Sequence, residues 1–369
     1  MTLIICCNSI LKVVYEREWC RRLAGAIAVV CASGCSTAHW GAAPDLVTPA
    51  IKERFAGSAG LQHAIVGFSV DTPQRAITAA RQGIGVTILY GQSPPPGSAL
   101  AKSLVRNHIT VVDGGVSSEL FYWECHRTHT VKPPPSGPND YCRTDENPKV
   151  RSEAIVLRDV SKLLARDANR SYVVGFWVLD DWPYWDAGSA RALLQKIHAL
   201  IAKMAPSEPA ICGFGAGLAP PGKVSWDPGT AKNYSDGGCD VVGWYVYSPF
   251  GRRHPASGKH LDWSMNALLP AMRTSLAKYG WRIAQTPLLG IGQAWSGAYG
   301  KGFYQPGLSE EQMKAQATGF CSFGATSISW YAWDDSGFGP KTHTPNNSPT
   351  IAAGIADGIT ACQTVWSSR

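Results

Sequence analysis

The chain lacks the motifs that mark several large enzyme classes. Neither G-x-G-x-x-G nor a P-loop follows any apolar run in its 369 residues, and "GFGAGL" at residues 213–218 lacks the required spacing. A nucleotide cradle built on a helix N-terminus is therefore not indicated. No G-x-S-x-G is present, which disfavours a strained serine elbow and a Ser-His-Asp hydrolase. Paired histidines at strand ends are missing, and no cysteine pair beyond the N-terminal segment has the two-to-four-residue spacing of a zinc knuckle. The pattern calls for no cofactor and no metal. Charged residues make up 17% of the chain. Of the formal +7, Lys12, Arg17, Arg21 and Arg22 against Glu16 and Glu18 give +2 to the first 35 residues and leave +5 for the rest. That remainder is scattered, with Arg252 and Arg253 as the obvious pair, so no nucleic-acid partner is expected. After the N-terminal segment no apolar stretch is long enough to cross a membrane.

What is present is a large apolar fraction, 45%, together with 14 Trp, 13 Tyr and 38 Gly. A chain of this length buries a sizeable core, and abundant tryptophan supplies flat apolar faces suited to sugar rings. Residues 1–35 have the shape of an export signal: Arg21 and Arg22, the run "LAGAIAVVCA", then "SGCS" around Cys35. "ASGC" resembles a bacterial lipobox that would make Cys35 a lipid attachment site, with Ala32 where leucine is preferred; the alternative is simple cleavage. The expected destination is the cell envelope, lipid-anchored, or the exterior. Six cysteines remain, Cys125, Cys142, Cys212, Cys239, Cys321 and Cys362. They can form three disulfides in an oxidising compartment, most locally in that consecutive order.

A connector over residues 36–62 leads into a repeated pattern over 63–369. Eight short apolar runs, at residues 64–70, 85–90, 109–115, 172–180, 210–215, 240–248, 287–295 and 326–334, alternate with amphipathic stretches. Near-continuous apolarity fits parallel strands covered on both faces. Helix starts are marked by Thr72-Pro73, by Ser152 with Glu153, and by Ser309 with Glu310 and Glu311. The weakest helical segment lies between runs five and six, and residues 116–150 form a long loop after run three. Eight such units predict a single (β/α)8 TIM barrel of the α/β class; a doubly wound open sheet is the alternative.

In such a barrel the chemistry sits where strands end. Those ends carry Asp71 on the first, Tyr90 on the second, Asp113 on the third with Glu124 beyond, and Asp180, Asp181 and Trp182 on the fourth. Tyr245 and Tyr247 end the sixth, Gln293 and Trp295 the seventh, and Trp330, Tyr331, Trp333, Asp334 and Asp335 the eighth. Acids and aromatic rings thus gather on one rim, as cleavage of a glycosidic bond requires: one protonated acid for the leaving oxygen, and one carboxylate as nucleophile or base. Adjacent strand residues point oppositely. If Val174, Phe176 and Val178 face the helices, Asp181 shares the inward parity of Trp177, and Asp180 supports it from behind. A strand-end Asp often only caps the next helix, and Asp71 and Asp113 favour that simpler role. His63, His108 and His198 sit at structural positions, while His126 and His129 lie in the loop without an adjacent nucleophile.

"GFWVLDDWP" resembles the strand-four signature of the β/α-barrel glycoside hydrolase clan, where a short polar residue precedes the acid/base; Asp180 and Asp181 match those places. "CDVVGWYVYSP", "LLGIGQAWSG" and "EEQMKAQATGFCSFGATSISWYAWDD" resemble strands six to eight of bacterial barrel glycosidases. The resemblance runs from about His63 to Val365 and implies an exported glycosidase acting on a carbohydrate. Two positions depart from it. Asp181 stands where the clan has Glu, and Gln293 stands where the clan has its nucleophilic Glu. Asp334, Asp335 and Glu124 are then the candidate second acids, and the shorter reach of Asp181 fits an inverting gap that holds a water. Gln293 equally motivates a barrel that binds sugar without cleaving it, or an envelope scaffold.

Overall fold

The computed structural model describes residues 61–129, 152–168, 170–180, 189–215, 231–247, 265–299 and 303–369. Eight parallel strands close into a barrel: β1 (Ile65–Phe68), β2 (Val86–Ile88), β3 (Thr110–Asp113), β4 (Val173–Leu179), β5 (Ala210–Gly215), β6 (Val241–Tyr245), β7 (Leu288–Gln293) and β10 (Ser327–Tyr331). Between β7 and β10 an antiparallel hairpin, β8 (Gly297–Tyr299) and β9 (Phe303–Gln305), rises beside the C-terminal mouth. β10 is therefore the eighth barrel strand, and it pairs back onto β1.

The helices are α1 (Pro73–Arg81), α2 (Ala99–Arg106), α3 (Gly115–His129), α4 (Glu153–Asp167), α5 (Ser189–Met204), α6 (Met265–Ala277), α7 (Glu310–Phe323) and α8 (Pro349–Ser367). Their starts follow the capping chemistry of the sequence. The Thr72 hydroxyl accepts from Arg75 N, and Ser152 accepts from Ile155 N. Ser309 forms a full capping box, closed by the Gln312 side chain.

Three expectations change here. The stretch after β3 is not a loop at first: α3 begins two residues after the strand, because Val116, Leu120 and Trp123, spaced i, i+4, i+7, form a buried stripe. Among the described residues, the link from β5 to β6 holds only a 3₁₀ turn, Ala231–Asn233. Leu61, placed in the connector, belongs to the barrel, fully buried among the interior side chains.

Two apolar layers result. The inner one includes Val66, Phe68, Ile88, Trp177, Tyr245 and Ile291, and the outer one joins the sheet to the helices. Trp177 fills the barrel where β5 and β6 carry glycine: a Cβ on Gly213 would lie 2.3 Å from the indole Cζ2, and one on Gly243 3.1 Å from Cη2. Full burial of that indole contributes roughly 4–6 kcal/mol by apolar area, an upper bound.

Two disulfides staple the outer layer. Cys212–Cys239 joins the β5 strand to the start of β6, and Cys321–Cys362 joins α7 to α8. The expected Cys125–Cys142 pair lies outside the described residues. Beside the first staple, the Asp240 carboxylate accepts from Ala210 N at 2.8 Å and meets His198 Nε2 of α5 at 2.9 Å. Burial pushes Asp240 upward, but the His198 hydrogen bond and the Ala210 N–H together hold it below the ordinary carboxylate value. His198 is held above its ordinary value, chiefly by the Asp240 hydrogen bond. Among the described residues no helix is long and apolar enough to cross a membrane.

Two outcomes are expected. Gly213→Ala forces the indole to move and lowers stability by about 1–3 kcal/mol, more than Gly243→Ala; equal melting temperatures for the two variants would contradict this packing. The His198–Asp240 pair stabilises most between about pH 4 and 6.5, since the raised His contribution is lost as pH climbs through its folded pKa and the depressed Asp contribution as pH falls through its own. Wild type should melt above His198→Gln at pH 5 and lose that advantage by pH 9.

Candidate active site

The mouth is built by side chains whose strand parity turns them to the axis. Along β4 the pairing slips twice: Val111 and Val112 of β3 face Val173 and Gly175, and Ile211 and Cys212 of β5 face Trp177 and Leu179. Each slip inserts one extra β4 residue and resets the alternation. Val174 and Trp177 consequently point inward, while Val173, Phe176 and Val178 pack on the helices. Val174 was expected among the helix-facing set. Asp180, expected as a support behind the axis, shares the inward parity of Val174 and meets Tyr245 of the inner layer.

Asp180 is 4% exposed and accepts a hydrogen bond at 2.9 Å from the Tyr245 hydroxyl. Tyr245 in turn meets the Tyr90 hydroxyl at 2.8 Å. Burial, then the nearby Asp180, Tyr245 and Tyr247, pushes Tyr90 well above 10, so it keeps its proton. Across the mouth, the Tyr331 hydroxyl donates to Asp335 Oδ2, and Gly337 N donates to Asp335 Oδ1 at 2.6 Å. Burial first, then Tyr90 and Asp335, raises Tyr331 likewise. β4 and β10 stand four strands apart in either direction around the barrel, so Asp180 and Asp335 rise from opposite walls. Their tyrosines meet over Phe68, whose ring lies 5.4–5.7 Å from Tyr90, Trp177, Tyr245 and Tyr331.

An aromatic wall continues beside them. Tyr247 lies 5.6 Å from Tyr331 and 6.4 Å from Trp295, which packs on Tyr299 of the hairpin at 5.5 Å and on Phe338 at 5.0 Å. Gln293 secures this wall. Its Nε2 donates to Trp295 O at 2.8 Å and Pro306 O at 2.7 Å, and its Oε1 accepts from Gln305 at 2.8 Å. The amide at the strand-seven place thus ties the hairpin to the barrel.

Several candidates lie elsewhere. Asp113, 0% exposed, faces away from the axis, accepts from Ser93 N and Gly115 N, and lies near Arg166 and Asp167. It holds two loops together behind the sheet; burial, with Asp167 adding to it, raises its pKa against those hydrogen bonds. Trp330 is buried under α8, where a Cβ on Gly358 would approach its ring to 2.9 Å. Trp333 covers Gly67 and donates to Gln82 Oε1 at 3.1 Å. Neither indole lines the mouth: parity sends Trp330 outward while Tyr331 goes inward, and Trp333, past the end of the strand, packs with the outer layer. Asp71 and Asp334 share Arg75, with Asp334 at 2.8 Å, and both remain about half exposed on the rim. Asp181, Trp182, Cys35 and Cys142 lie outside the described residues, as do the side chains of Glu124 and Cys125.

The sequence missed Arg75, Tyr299, Phe338 and Gln305, and passed over Tyr331 as a ligand-facing ring. Tyr331 did carry a signal: Ser327 and Ser329 alternate with Ile328 and Trp330, and the small residues suit the crowded interior. Among the described residues no cluster of three or more His, Cys, Asp or Glu side chains could hold a metal ion.

Comparison with known proteins bears on the fold. No family model matches the chain, and no curated protein is similar to it. Among solved structures, a β-galactosidase from Marinomonas ef1 superposes with a TM-score of 0.52 at 11% identity, over 82% of this chain and 59% of its own. The β-glucuronidase of Lactobacillus rhamnosus gives 0.48 at 11% identity, over 80% and 49%. The catalytic domain of the major Xanthomonas campestris endoglucanase gives 0.44 at 15% identity, over 83% and 94%. The chain spans about half to three-fifths of the first two. At this identity the likeness is one of architecture: the chain has a barrel fold also found in glycoside hydrolases.

Gln293→Glu tests the structural role of the amide. It sets a carboxylate against the Trp295 and Pro306 carbonyls and should cost about 2–4 kcal/mol near neutral pH, with part of the loss recovered in acid as the new side chain protonates. Stability equal to wild type at pH 7 by denaturant unfolding would contradict that role.

Proposed function

We propose that the protein is a glycoside hydrolase that holds a saccharide chain in the mouth of the barrel and cleaves it by paired-carboxylate chemistry. The observation that carries this is the pair of carboxylates, Asp180 and Asp335, on opposite walls of one aromatic-lined mouth. An acid on each side of a bound sugar is the arrangement glycosidic cleavage requires. The half-buried ring of Tyr247, backed by Trp295, supplies apolar contact for the sugar.

Asp335, held by Tyr331 and Gly337 N, serves as base or nucleophile from the eighth barrel strand, and the proton donor comes from the opposite wall, where the resemblance of the strand-four segment assigns that role to Asp181, next to Asp180 in the chain. Asp334 does not take the place of Asp335, since its carboxylate is engaged by Arg75 on the rim. Two disulfides are consistent with an oxidising compartment and support the reading of residues 1–35 as an export segment, with Cys35 as lipid attachment site or lost on cleavage.

Gln293 favours one rival, a barrel that binds saccharide without turning it over. Incubation with a panel of neutral, acidic and amino polysaccharides, read by release of reducing ends and by affinity electrophoresis, separates the two. The hydrolase reading expects turnover that falls about 10²- to 10⁴-fold in Asp181→Asn and in Asp335→Asn with binding retained. Binding without turnover in the wild-type protein would establish the rival, and full turnover in both variants would refute the assigned roles.

A further inference from the structure

Two hydroxyls at the mouth have one proton each to give, and their arrangement leaves a single consistent direction. Tyr245 spends its proton on Asp180 Oδ1 at 2.9 Å. The contact between the Tyr90 and Tyr245 hydroxyls, at 2.8 Å, must then run from Tyr90 to Tyr245. The chain therefore passes from the end of β2 to the end of β6 to the end of β4, joining residues 155 and 65 apart in sequence.

Both phenols are fixed in place by packing. The Tyr245 ring has Phe68 at 5.6 Å, Tyr247 and Tyr331 at 5.8 Å each, and Trp177 at 6.2 Å. The Tyr90 ring has Phe68 at 5.7 Å and Tyr331 at 6.0 Å. Rings so enclosed cannot swing their hydroxyls elsewhere at low cost. Burial keeps Tyr90 protonated far into the alkaline range, so the donor end of the chain does not fail near neutrality.

Resting on the saccharide-site reading above, we propose that Tyr245, backed by Tyr90, is a positioning residue that keeps Asp180 as a hydrogen-bond acceptor at the mouth. A donated hydrogen bond stabilises the ionised carboxylate over the acid. Asp180 then takes a hydrogen bond or a proton from the ligand, and the proton donor is a different group, its neighbour Asp181. The second pair repeats the device, with Tyr331 donating to Asp335. Among the described residues, the titratable groups tied to Asp180 are Tyr245 from β6, by its hydrogen bond, and Tyr90 from β2, electrostatically; Asp181 adjoins it in the chain.

The test is a titration that needs no substrate. With ¹³C-carboxyl-labelled aspartate in the full chain, the Asp180 resonance is assigned by its loss in Asp180→Asn and followed from pH 2 to 8. Tyr245→Phe should raise its midpoint by about one pH unit, and Tyr90→Phe by less in the same direction. Tyr331→Phe should leave that midpoint in place. If Tyr245→Phe does not fold, Tyr90→Phe reads the same chain from its far end. An Asp180 midpoint unmoved in the folded Tyr245→Phe and Tyr90→Phe variants, or moved equally by Tyr331→Phe, overturns the proposal. Where a polysaccharide is turned over, the acid limb of kcat/KM should shift upward with the titration. If none is, the hydrolase reading fails while the titration still decides the chain.

Discussion

Side-chain parity in a closed barrel is the constraint on which the rest depends. Every strand must send alternate residues to an interior with room for few atoms, and the strands on either side dictate which residues those are. β4 meets this constraint by slipping its register against both neighbours. Those slips admit Trp177 to the axis opposite the glycines of β5 and β6. The two slips cancel in parity, so Asp180 shares the inward side of Val174, while Trp177 between them gains the axis only because of the slips.

The interior grades from apolar to polar along the axis. Aliphatic side chains and Leu61 fill its lower part, Phe68 and Trp177 its middle, and tyrosines its top. Tyrosine suits that boundary because the ring packs as densely as phenylalanine while the hydroxyl reaches a polar partner. The hydroxyls of Tyr245 and Tyr331 find carboxylates. Packing and site geometry are thus carried by the same residues.

Much of the architecture was legible in the chain. Each of the eight apolar runs became a barrel strand, and the caps at Thr72, Ser152 and Ser309 open helices as their chemistry requires. The stripe of Val116, Leu120 and Trp123 was equally legible, but proline and cysteine further along the segment suggested a loop. The site was legible only in outline. That acids and aromatic rings gather at strand ends followed from position, yet Asp113, Trp330 and Trp333 turn away from the mouth, and Asp71 and Asp334 are tied up by a shared Arg75. Gln293, which signalled a missing nucleophile, proved to be a clamp on Gln305 of a hairpin that no local pattern announced and on the carbonyls that flank that hairpin.

The sequence by itself determined the eightfold strand-and-helix order and the rim on which chemistry could assemble, because apolar periodicity and capping act over a few neighbouring residues. Only the tertiary structure decided that Asp180 reaches Tyr245 and that Tyr331, not Trp330, faces the axis. Which side of a strand is the inner one is set by hydrogen bonds to strands far away in the chain.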